Sequence, residues 1–165
     1  MDTGQTKLDA TRSAGDLALR RAVAADVPAI RALVRAAYQH YVARIGREPM
    51  PMTADYDRAV VEHEIWLFED AAGLGGVLEL KPCGDGELSI ENIAVDPARQ
   101  KSGIGRKLMA FAEEQARRQG CDRVTLYTNE KMVENIALYT RLGYAETERR
   151  AIGAFHRVFM RKDLR

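Results

Sequence analysis

The chain has 165 residues, a length that suits one domain able to bury a core of its own. Lysine and arginine number 25 against 24 aspartates and glutamates, so a net charge of +1 gives no bulk attraction to nucleic acid or to an anionic membrane surface, and any anion site must be local. No apolar run reaches the ~18 residues of a membrane span, and the opening MDTGQTKLDATRSAGD lacks the apolar stretch of a secretory signal, so a cytoplasmic protein is expected. Cys83 and Cys121 have no metal-like spacing and give no disulfide framework; with His40, His63 and His156 scattered as well, no metal is expected.

Residues 1–16 are polar, small and aperiodic, and are expected to form a disordered leader; residues 17–165 would then be the domain. LALRRAV alternates apolar and polar residues, as a first strand does. Asp26 is placed to cap a helix with Pro28 in its first turn, and Ile30, Leu33, Val34, Ala37, Tyr38, Tyr41 and Val42 recur at helical spacing until GREPMPM stops them. Residues 53–63 suit a second short helix. EIWLFED, GLGGVLELKP and ELSIENIAVDP then read as three strands of an antiparallel meander.

From Ser102 an amphipathic helix runs to about Gln119, with Ile104, Leu108, Phe111, Ala112 and Gln115 on one side and Gly120 as terminator. RVTLYT is a strand, KMVENIALYTRLG a helix closed by Gly143, and YAETERR and HRVFMRK the last two strands. The order strand, two helices, three strands, helix, strand, helix, two strands implies an α/β fold: a mixed central sheet of about seven strands with helices on both faces.

The loop before the long helix, RQKSGIGRKL, invites a test for phosphate binding. A Walker A loop requires Gly-Lys-Ser/Thr, but Lys107 is followed by Leu108; a dinucleotide fingerprint requires a third small residue where Leu108 stands. What remains is a helix N-terminus whose free N–H groups can face an anion, glycines that let a diphosphate come close, and Lys101, Arg106 and Lys107 nearby.

IENIAVDPARQKSGIGRKLMAFAEEQARRQG resembles the cofactor motif of the GNAT superfamily of acyl-CoA-dependent N-acyltransferases, Gln/Arg-x-x-Gly-x-Gly/Ala between a strand and a helix. Here the match is Gln100, Lys101, Ser102, Gly103, Ile104 and Gly105. VTLYTNEKMVENIALYTRLGYAE resembles the family's second motif, a strand followed by a helix that carries a Tyr and ends in Leu-Gly-Tyr/Phe. The two stand in the family's order, and the strand order from Leu17 onward fits the GNAT fold.

The resemblance implies an N-acetyltransferase that uses acetyl-CoA and transfers directly to a primary amine of a small molecule or peptide. It implies that the backbone of Ile93, Ala94 and Val95 bonds the pantetheine arm like an added strand, and that the N–H of Ala94 or Val95 polarises the thioester carbonyl. The diphosphate would rest on residues 100–106 beside Lys107, and Tyr139 would give its phenolic proton to the departing thiolate. Many members carry an Asn seven residues before that tyrosine; this chain has Met132 there, and Asn135, on the same helical face as Tyr139, can substitute.

Some branches place a general base on the VTLY strand, where this chain has Tyr127; the histone-modifying branch places a Glu where Ser89 stands. Glu91, one pleat further, is the remaining side-chain candidate, with ordered water as the alternative. The acceptor side would be walled by residues 36–52 and 148–156, with Tyr38, Tyr41, Arg44, Arg47, Glu48 and Met52 as candidate specificity residues, and with Arg149 and Arg150 its arginines suit an acceptor bearing a carboxylate or phosphate. A small-molecule or peptide amine is the expected partner, without nucleic acid or membrane, and the family admits a homodimer. The competing reading is a CoA-binding module without catalysis.

Overall fold

The computed structural model describes residues 12–14 and 17–165, and everything below refers to them. Apart from Arg12–Ala14, the expected leader lies outside the described residues. Those three form a short edge strand, β1, antiparallel to β2 (Leu17–Arg21), so the sheet has eight strands where about seven are expected. The others are β3 (Glu64–Asp70), β4 (Gly73–Gly84), β5 (Glu87–Val95), β6 (Arg123–Asn129), β7 (Ala145–Ile152) and β8 (Phe155–Asp163), in the spatial order β1-β2-β3-β4-β5-β6-β8-β7.

Residues 75–80 of β4 are buried without alternation, as a strand covered on both faces must be. One face carries α5 (Ile104–Arg118), whose Leu108 and Phe111 meet Leu78, Leu80, Leu88, Ile90, Leu126, Val158 and Met160. Also there is α6 (Val133–Arg141), anchored by Tyr139, its one buried residue. The other face carries α1 (Val27–Tyr38) and, beyond α2 (Tyr41–Ile45) and α3 (Met50–Thr53), α4 (Tyr56–Glu62). Ile30, Val34 and Tyr56 there cover Ile65, Leu67, Val77 and Ala94. Each such large apolar side chain contributes about 1.5–3 kcal/mol on burial.

Two local expectations are corrected. Asp26 does not cap α1 through its side chain: it closes a 3-10 turn over Ala24–Asp26 and already has helical dihedrals, φ −81° and ψ −14°, so its carboxylate turns back. That carboxylate accepts from the Val23 N–H at 2.8 Å and from Arg20 at 2.8 and 2.9 Å, which holds it well below the usual carboxylate range and ties β2 to the helix start. The apolar period through Val42 is also not one helix. It breaks after Tyr38, resumes as α2 and stops at Gly46, whose φ of +85° suits glycine.

The site is set by two departures from regular pairing. In the β4–β5 ladder Glu79 faces Asn92 while Leu80 faces Ile90, so Glu91 is an extra residue, a β-bulge. Leu88 and Ile90 before it point to the α5 face; after it, Ile93 and Val95 point there, and Asn92 and Ala94 point to the α1 face. The second departure follows directly. β5 pairs in parallel with β6 from Glu87↔Arg123 to Ile90↔Leu126 and no further, whereas β6 stays paired with β8 as far as Asn129↔Arg157. Past the bulge, β5 and β6 part and leave a cleft at the carboxyl ends of the strands, where open α/β sheets bind ligands.

Candidate active site

The loop from β5 to α5 starts with the Asp96 carboxylate accepting from the Ala98 N–H at 3.0 Å. Arg99 fastens the loop to the β3–β4 turn, reaching Asp70 at 2.8 Å and the Gly73 carbonyl at 3.2 Å. Lys101 then takes φ +64° and Gly103 φ +89°. Such reversals turn successive N–H groups to one side, and for a lysine the left-handed conformation is strained. The first helical bond, Lys107 N–H to the Gly103 carbonyl at 3.1 Å, leaves the amides of residues 104–106 without acceptors inside the helix.

Gly105 tests whether this cradle fits a bulky anion. It takes no left-handed dihedral, and an added Cβ would meet only Val95 Cγ2, at 3.8 Å. Neither backbone conformation nor packing within the chain requires glycine there. The side chain it lacks would instead project into a groove of about 710 Å³ that runs along the start of α5. The groove has room there for a group as bulky as a diphosphate, and Arg99, Lys101, Arg106 and Arg141 along its wall are positively charged.

The same groove is lined by Ile93, Ala94, Val95, Gln100, Gly103, Ile104, Asn135 and Tyr139. Ser102 and Lys107 do not line it: the Ser102 hydroxyl donates to the Arg99 carbonyl, and Lys107 is half-buried on the helix. The Asp96 N–H donates to the Gly75 carbonyl at 2.9 Å. By the alternation of an antiparallel ladder, Ala94 therefore points its backbone groups at β4, and Ile93 and Val95 point theirs at the open side. Their carbonyls bear this out, accepting from Tyr38 (3.1 Å) and Gln100 (3.4 Å) respectively. Of the two amides expected to polarise a carbonyl, Val95 faces the cleft and Ala94 does not.

Tyr139 stands where the groove enters the cleft between β5 and β6, a narrow space of about 60 Å³. It is 7% exposed, stacked edge-on against Tyr144 at 6.3 Å, and its hydroxyl bonds no other described residue. Burial pushes its phenol well above the ordinary value, so it is protonated at neutral pH. Met132, standing where the resemblance puts Asn, is buried, and its sulfur accepts from Thr128 Oγ1 at 3.5 Å and Asn135 Nδ2 at 3.7 Å.

Beyond the cleft, Glu91 accepts from Ser89 Oγ at 2.8 Å. It also borders a cavity of about 290 Å³ under α3 and α4, where His63 Nδ1 lies 2.6 Å from the buried Glu79 carboxylate. Groove, cleft and cavity share lining residues in sequence: Tyr38, Ile93, Asn135 and Tyr139 between the first two, Met50, Pro51, Glu91, Asn92 and Tyr127 between the last two. They form one passage with the sheet bulge at its centre.

Of the residues expected on the acceptor side, only Tyr38 lines the cleft. Tyr41 and Arg44 border the groove instead, Arg44 bridging to Glu134 at 2.7 Å; Glu48 pairs with Arg35, Met52 is in the core, and Arg149 pairs with Glu146. The opposite wall is Met50, Phe155 and Arg157: the first two lie in the stretches expected at the acceptor side though neither is singled out there, and Arg157 lies one residue beyond them. The one signal for it was the alternation of Phe155, Arg157 and Phe159 along the last strand.

A family model described as the Acetyltransferase (GNAT) family matches residues 28–144. YvbK, an uncharacterized N-acetyltransferase of Bacillus subtilis (strain 168), is 30% identical over 79 residues, 48% of this chain and 49% of that protein, so the match spans about half the relative's length. YjgM, an uncharacterized N-acetyltransferase of Escherichia coli (strain K12), is 28% identical over 143 residues, covering 76% of this chain and 80% of that one. Among solved structures, the PaiA N-acetyltransferase of Thermoplasma acidophilum, in complex with coenzyme A, superposes with a TM-score of 0.76 at 16% identity, covering 90% and 99% of the two chains. At that identity the likeness speaks for the fold.

Proposed function

The chain belongs to the GNAT acetyltransferase family, and on that premise we propose that it transfers an acetyl group from acetyl-CoA directly to the primary amine of a small molecule or peptide. The observation that carries this reading is the continuous passage from a diphosphate-sized cradle, past a protonated buried tyrosine, to a carboxylate. A cofactor-binding module has no use for the far half of it.

When bound, acetyl-CoA supplies an activated thioester. The amides of residues 104–106, which have no acceptor inside the helix, would hold its diphosphate, with Lys101 and Arg106 adding charge, while Ile93 and Val95 would offer backbone groups to its arm and to the acyl oxygen. Asn135 borders the arm beside Tyr139. At the far end Glu91 takes a proton from the acceptor's ammonium and so frees its lone pair. A carbon–nitrogen bond then forms as the carbon–sulfur bond breaks, Tyr139 gives its phenolic proton to the leaving sulfur, and the proton the acylated nitrogen sheds returns through solvent to the phenolate.

Free-thiol release from acetyl-CoA across amino acids, aminoglycosides, polyamines and peptides tests the reading, beside thermal shifts with acetyl-CoA, CoA, NAD and ATP. Stabilisation by the CoA species alone, with thiol release on at least one amine, is expected. Stabilisation with no turnover on any amine would instead mark a CoA-binding module.

A further inference from the structure

We propose that the acceptor is an amino acid in the chemical sense, a small amine that also carries a free carboxylate, and that Arg157 binds this carboxylate. The inference rests on the acetyl-transfer reading and narrows it.

Arg157 is on β8 and lines the cleft that Glu91 and Tyr139 also line. Its guanidinium has no carboxylate partner among the described residues, unlike three other arginines around this end of the sheet: Arg44 pairs with Glu134, Arg149 with Glu146 and Arg150 with Glu148. It is nevertheless held in place. The guanidinium lies 4.2 Å from the centre of the Tyr127 ring and contacts the Met50 sulfur. A fork fixed by stacking, whose one side-chain acceptor is a weak thioether sulfur, is suited to a carboxylate, which it can grip through two parallel bonds.

The ladder adds a second observation. Arg150, the direct cross-strand neighbour of Arg157 on β7, has its guanidinium 4.9 Å from the centre of the Phe159 ring and 3.6 Å from Glu148, so of this pair Arg157 is the one left without a carboxylate. The third concerns polarity. Glu91, Tyr127 and Arg157 all line the cleft, so its walls carry a carboxylate as well as a guanidinium. A zwitterion spans such a slot with its ammonium at Glu91 and its carboxylate at Arg157. The cleft's small size favours a free amino acid over a peptide chain.

One feature pulls the other way: the adjoining cavity is lined by Asp55, Glu62 and Glu79 as well as Glu91, a surface that would attract a polyamine. The positive charge of Arg157 in the cleft itself weighs against a polycation, and experiment can separate the two. Thiol release is compared for matched pairs, phenylalanine against phenylalaninamide and phenethylamine, lysine against cadaverine, with spermidine as the polycation. Wild-type kcat/KM is expected to favour each carboxylate-bearing member by roughly 100-fold, well short of the roughly 10⁴-fold of a fully buried hydrogen-bonding site because Arg157 is only half-buried. Arg157→Gln should remove that preference by raising KM for the amino acid far more than for phenethylamine; Arg157→Lys should restore part of it. Equal rates for acids and their amides, or a preference for spermidine, would overturn the proposal on the wild-type protein alone. No thiol release from any amine would overturn the acetyl-transfer reading along with it.

Discussion

The two ends of the passage are built from different material. On the α5 side the contacts come from the backbone: amides of the loop, the edge of β5 and the space left by Gly105. On the β8 side they come from side chains, Glu91, Met50, Phe155 and Arg157, brought from three separate stretches of chain. A backbone site depends on dihedrals and on small residues, and tolerates change in neighbouring side chains. A side-chain site can be retuned one residue at a time, as a part that selects among acceptors must be.

The largest effect is expected at the junction, where neither material substitutes for the other. Tyr139→Phe should lower kcat by about 10²–10⁴-fold with CoA affinity, measured by calorimetry, nearly unchanged; an undiminished rate would remove the tyrosine from the chemistry. Next comes the cradle. Gly105→Glu puts a side chain and a negative charge where the chain itself has room, so thermal stability should hold while CoA binding weakens by roughly 100-fold, about 2.7 kcal/mol. Retained binding would mean that the groove is not held by close backbone approach.

Smaller still is Glu91→Gln, expected to lower kcat/KM by about tenfold and to abolish the acidic limb of its pH profile. If the limb survives, water removes the proton. The finest test of the contrast is Lys101→Gly. It removes a charge from the cradle but also the strain of a left-handed lysine, so melting should rise by up to about 1 kcal/mol equivalent while the KM for acetyl-CoA grows only a few-fold. A large loss there would move the donor side into the side-chain class.

This division also explains what could be read in advance. The three-strand meander, the long helix and the loop are written in local patterns: alternation, helical spacing and paired glycines. Tyr139 followed from its place before RLGY. Residues 39–40 gave no warning of a helix break, because Tyr41 and Val42 continue the apolar period across it. The facing of Ala94 and Val95 depends on a ladder with β4, which no single strand reveals. Met50 and Arg157 lie 107 positions apart and meet only through the fold.

The bulge at Glu91 has a consequence for chain length. Without that residue, Ile90 and Asn92 through Val95 would alternate regularly and keep the faces they now occupy. The strand therefore contains one residue more than its sheet needs, and the surplus residue is the one whose carboxylate enters the passage. A chain with Glu91 deleted would be expected to fold as well or better, its β5–β6 ladder zipped past Ile90, with nowhere left for an amine to meet a thioester. Drift in sequence leaves this protein room to change; the loss of a single codon at this point does not.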